Sequence, residues 1–133
     1  MPGLLTHLIT AFVGGVIIYL FSRKYLYSGF WVLGTLIPDT IKFGIPAIRL
    51  KTASFAVMMT DPLYATLNSF THSIWFWLVI SGIVFLVGYL FGKYEKWSWK
   101  KVRVIFISNI IFLASIVVHL IMDVFIIESS YWI

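Results

Sequence analysis

A chain of 133 residues has room for one domain and no second. Its side chains are 61% apolar and 11% charged, too little charge to cover a soluble surface, so the apolar surplus is expected to face lipid. The net charge is +5, but the bases gather between apolar runs, the pattern of cytoplasmic loops rather than of nucleic-acid binding, and the lack of Cys excludes disulfides and thiolate chemistry.

Four crossings are predicted in chain order, making an all-α polytopic membrane protein of one transmembrane domain, 1–133. The first runs from Leu4 to Phe21, interrupted only by Thr6, His7 and Thr10. It lacks a basic leader and a small-residue cleavage site, and is expected to be a retained helix. The second, 30–48, begins strongly apolar but contains Pro38, Asp39, Lys42 and Pro46. Pro38 is expected to kink or break it. Asp61 and Pro62 read as an N-cap followed by proline in the first helical position. They predict a short helix towards Phe70 that is interfacial or re-entrant. The third crossing, 73–92, has no charge, and the fourth, 104–127, has only His119 and Asp123 as ionisable groups. About 20 residues at 1.5 Å each cross a hydrocarbon core of about 30 Å.

Loop charges predict the orientation. Arg23 and Lys24 follow the first crossing, and Lys93, Lys96, Lys100, Lys101 and Arg103 lie between the last two. Both loops are expected in the cytoplasm, which puts both termini and the segment from Lys42 to Thr71 outside. Lys42, Arg49 and Lys51 count against this arrangement. Gly88 and Gly92 form a G-x-x-x-G step, which could admit a neighbouring helix but is more often incidental packing. Ser108 and Asn109, in mid-crossing, are expected to hydrogen-bond another helix.

The chemistry lies in the polar residues of these apolar runs. All three histidines, His7, His72 and His119, fall in or at the ends of crossings, with Asp39 and Asp123. Intramembrane ionisable groups are costly and usually face a protein interior. The four-crossing topology puts all five towards one end, whichever way the chain is inserted. His119 and Asp123, four residues apart, share a helical face. Imidazole and carboxylate are the ligands of a hydrolytic zinc, manganese or iron site. Asp39 could be a further ligand or the base that activates water. Asn68 and Thr71 are placed to support His72. Each residue also has an ordinary alternative. His7 and His72 suit helix ends, Asp39 suits an N-cap, and Asp123 could hydrogen-bond a neighbouring helix.

Four blocks occur in order: Thr6 and His7; Gly34 with Pro38 and Asp39; Thr71, His72 and Ser73; and His119 with Asp123. The series resembles, over nearly the whole chain, the LexA-regulated family of small inner-membrane proteins described as membrane-bound metal-dependent hydrolases. The family pattern is an early His, then G-x-x-x-P-D, T-H-S and H-x-x-x-D. The resemblance implies metal-binding roles for His7, Asp39, His72, His119 and Asp123. It also implies a distant relation to zinc-dependent phospholipase C, and so (phospho)ester hydrolysis at a lipid surface. Two positions depart: Ile41 stands where a second Asp is common, and Asn68 where an Arg is common.

The leading expectation is a hydrolase-like protein of the inner or plasma membrane, with a divalent metal, zinc first, on the extracytoplasmic side. Membrane lipids are its expected partners. The alternative is a non-catalytic accessory or structural subunit of a larger membrane complex, with a vestigial or structural His/Asp site.

Overall fold

The computed structural model describes residues 4–125. They form α1 (Leu4–Ser22), α2 (Tyr25–Leu50), α3 (Phe55–Met58), α4 (Pro62–Thr71), α5 (Ile74–Tyr94) and α6 (Trp99–Phe125), with no strand among the described residues. The end of the expected fourth crossing, residues 126–127, lies outside them.

Three helices, α1, α5 and α6, are long and apolar enough to cross a membrane. Their burial pattern inverts that of a soluble protein. Phe12, Phe21 and Trp75 are at least 72% exposed, whereas His7, Thr35, Ser115 and His119 are fully buried. In lipid this is the favourable arrangement, because apolar side chains lose nothing there and polar ones must find partners inside.

The inner helix is α2. At 26 residues it is long enough to cross, but Asp39 and Lys42 interrupt its apolar stretch. It returns from α1 after only Arg23 and Lys24, and packs along both α1 and α6. Its charged middle is thereby kept from lipid. Of the kink or break expected at Pro38, the break does not occur: α2 begins at Tyr25 and continues through Pro38 and Pro46. A proline removes one i→i−4 hydrogen bond, and packing against neighbouring helices carries a membrane helix across such a gap.

Close approaches fix these contacts. On the α1 side, the Trp31 indole lies where a Gly14 side chain would be and donates from Nε1 to the Thr10 carbonyl at 3.3 Å. Ser28 Oγ donates to the Gly15 carbonyl at 2.7 Å. On the α6 side, Gly34 sits so close that an added Cβ would collide with Ser115 Oγ and the Phe112 carbonyl. Between α5 and α6, Ser81 Oγ donates to Asn109 Oδ1 at 2.6 Å, and Asn109 Nδ2 donates to the Ser81 carbonyl at 3.1 Å. Asn109 thus has the interhelical role expected of it, whereas Ser108 Oγ is buried with no hydrogen-bond partner among the described residues.

The short helix after Asp61 forms as expected. Asp61 Oδ1 accepts from the Leu63 N–H at 2.9 Å and from Arg49 Nη1 at 3.1 Å, tying the start of α4 to the end of α2. Trp77 Nε1 donates to the Thr71 carbonyl at 2.7 Å, holding the α4–α5 junction where His72 lies.

Candidate metal centre

Four parts of the chain supply the site. His7 comes from the second turn of α1, Asp39 from the middle of α2, His72 from the C-cap of α4, and His119 and Asp123 from the end of α6. Ligand atoms of Asp39, His72, His119 and Asp123 all lie within 4.8 Å of one another. His7 joins them, with Nε2 at 3.3 Å from Asp123 Oδ1 and 3.7 Å from Asp39 Oδ2. The structure therefore brings together all five residues singled out in the sequence. They lie at the end of the molecule opposite the Arg23–Lys24 turn and the start of α6.

Local hydrogen bonds orient two of the imidazoles. His119 Nδ1 lies 2.8 Å from the Thr35 carbonyl. A carbonyl can only accept, so Nδ1 carries a proton and Nε2 is the ring atom turned towards Asp123 and the site. His72 Nδ1 is likewise 3.2 Å from the Asn68 carbonyl, with Thr71 Oγ1 at 3.1 Å. Asn68 and Thr71 do support His72, though Asn68 does so through its backbone. Such outer contacts on the second ring nitrogen are the usual partners of metal-binding histidines. The His7 ring packs on His119 with centroids 4.2 Å apart.

The donor spacing suits a small cation. A tetrahedral ion with bonds of about 2.0–2.2 Å separates its ligand atoms by about 3.3–3.6 Å. His119 Nε2 is 3.3 Å from Asp123 Oδ2, equal to the His7–Asp123 separation. His72 Nε2 and His119 Nε2 are 3.9 and 4.0 Å from Asp39 Oδ1. One edge is short, His72 Nε2 to Asp123 Oδ2 at 2.7 Å, and must open slightly around an ion. Both ring nitrogens of His7, and Nε2 of His119, are buried without a hydrogen-bond partner among the described residues. Buried polar atoms without partners are costly, and an ion at the centre would satisfy Nε2 of His7 and Nε2 of His119 together. The residues present fit a metal ion.

Lys42 also belongs to the site. It is 1% exposed, with Nζ 2.6 Å from Asp39 Oδ1 and 3.2 Å from His72 Nε2. Its ammonium offsets one of the two carboxylates. In the sequence Lys42 read as a cost to the second crossing, although Asp39 one turn earlier was the available signal.

The fold and the site define a helical membrane protein with a buried His/Asp group that could hold a metal ion. No family model, curated protein or solved structure matches the chain.

Proposed function

We propose that this chain is a membrane-embedded, metal-dependent hydrolase-like protein acting on a lipid or another amphipathic ester or phosphoester. The observation that carries this reading is the convergence of His7, Asp39, His72, His119 and Asp123 from four separate parts of the chain. His7, His72, His119 and Asp123 would hold a divalent ion, with zinc favoured by the nitrogen-rich set. Such an ion supplies Lewis acidity and brings the ionisation of water near neutral pH. Asp39 would be a further ligand or the base that takes the proton from water. Lys42 holds its Oδ1, while its Oδ2 faces His7. His119 and His72 are positioned by the Thr35 and Asn68 carbonyls.

The motif order supports grouping the chain with the LexA-regulated inner-membrane family. An extracytoplasmic site in the inner or plasma membrane accords with the basic loops at the opposite end. The bases that oppose this orientation carry less weight than their number suggests. Lys42 is buried against Asp39, and Arg49 is paired with Asp61.

Metal analysis of the purified protein tests the proposal. One tightly held ion per chain is expected, with His119→Ala lowering metal affinity by at least about tenfold. Metal-free protein, or hydrolysis of a lipid phosphodiester undiminished by His119→Ala, would sink it. A second reading, a non-catalytic subunit of a membrane complex, is favoured by Lys42, which already pairs with one donor carboxylate. Metal-free protein co-purifying in fixed ratio with a larger assembly would support it.

A further inference from the structure

A second polar feature lies at the other end of the molecule. A cavity of about 460 Å³ opens between the α1–α2 turn and the start of α6. Its cations are Lys24, Lys100 and Arg103, and no acidic residue lines it. Tyr27, only 5% exposed, forms one wall, and its hydroxyl is 3.3 Å from Lys24 Nζ. Val104, directly after Arg103, and Ile107, one turn beyond Arg103, continue the lining along α6. From His7 to Ser22 along α1 is about 22 Å, so this cavity is separate from the His/Asp centre.

The charge arrangement is incomplete without a partner. The N-terminal end of a helix carries partial positive charge and favours anions. The first turn of α6 contains no acidic residue, and Lys100, Lys101 and Arg103 fall within its first five residues. These bases repel one another and meet the unfavourable end of the helix dipole. The cations at the mouth and the apolar wall beneath them match an amphipathic anion, with its charge at headgroup depth and a chain running inward.

We propose that this cavity binds the phosphate group of an anionic glycerophospholipid, with an acyl chain lying against Val104 and Ile107. Arg103 and Lys100 contact the phosphate from α6, and Lys24 closes the site from the α1–α2 turn. Basic pockets between membrane helices recognise such headgroups through the same combination of charges. The lipid bridges the Arg23–Lys24 turn between α1 and α2 to the start of α6.

Native mass spectrometry of the detergent-purified full chain, with added phosphatidylglycerol or phosphatidylcholine, tests the proposal. The expected result is one retained phosphatidylglycerol per chain and weak retention of phosphatidylcholine. The Lys100→Gln/Arg103→Gln variant should bind phosphatidylglycerol at least about tenfold more weakly, in line with two bases near a membrane anion. Lys93→Gln/Lys96→Gln removes the same charge at the α5–α6 turn but outside the cavity, and should bind within about twofold of the parent. The charge-conserving Lys100→Arg/Arg103→Lys variant should retain the lipid, separating loss of binding from loss of folding. Equal losses in the two Gln double variants would overturn the proposal in favour of diffuse loop attraction. Displacement of the lipid by millimolar inorganic phosphate would overturn it in favour of a free-phosphate site.

Discussion

At the scale of single residues, the Asp39–Lys42 pair sets the electrostatics of the His/Asp centre. Both members are buried, with their charged atoms 2.6 Å apart. Removing one partner of a buried pair costs about 3–5 kcal/mol, because the other charge is left uncompensated. Asp39→Ala should therefore be strongly destabilising. Asp39→Ala/Lys42→Met should recover a substantial part of the loss, which denaturant unfolding in detergent can measure. A double variant no more stable than Asp39→Ala would show that the pair is not coupled. Lys42→Met alone should tighten metal binding, since it removes a competing cation from Asp39 and His72. Competition with a chelating dye reads the direction. His119 and Asp123 were legible as a pair from their four-residue spacing, which depends only on helix geometry. The Lys42 contact with His72 was not, because it spans 30 residues and two helices.

At the scale of elements, the key contact is the approach of α2 to α6 at Gly34. Any side chain there meets Ser115 and the Phe112 carbonyl. Gly34→Val should force the helices apart, at a cost of about 1–3 kcal/mol for overpacking, and weaken metal binding by moving Asp39 away from His119. Thermal unfolding and metal titration of one variant check both effects. The G-x-x-x-G step on α5 provides the contrast. An added Cβ at Gly88 would meet Ile105 Cγ2 at 3.5 Å, an ordinary contact. Gly88→Ala should change stability by no more than about 0.5 kcal/mol. The motif is visible in sequence, but the close helix approaches are at Gly14 and Gly34. The start of α4 was legible, because Asp61 caps it through a bond to a residue two positions away. The continuity of α2 through Pro38 was not, because it relies on neighbours distant in sequence.

At the scale of the whole molecule, the chain is polar inside and apolar outside, with its chemistry divided between two ends. One end collects His7, Asp39, Lys42, His72, His119 and Asp123, and the other collects the basic loops. An ion held by ligands from α1, α2, the α4–α5 junction and α6 would bind the folded state and not the unfolded chain. At a hundredfold excess over its dissociation constant it should stabilise the fold by about 2.7 kcal/mol. Chelation should accordingly lower the thermal midpoint of the parent protein and leave that of His119→Ala nearly unchanged. A midpoint insensitive to chelator in both would argue against a bound ion.

The sequence by itself determined the membrane class, the long apolar helices and the few ionisable residues among the apolar runs. Those properties follow from composition, run length and local spacing. It also implied that the five His and Asp residues share an end, because the four-crossing topology puts each in the same half of its crossing. Only the tertiary structure decided that their side chains converge, that Lys42 joins them and that Gly34 sets the approach of α2 to α6. Convergence depends on how each helix is rotated about its axis against its neighbours, and packing across the bundle settles that rotation.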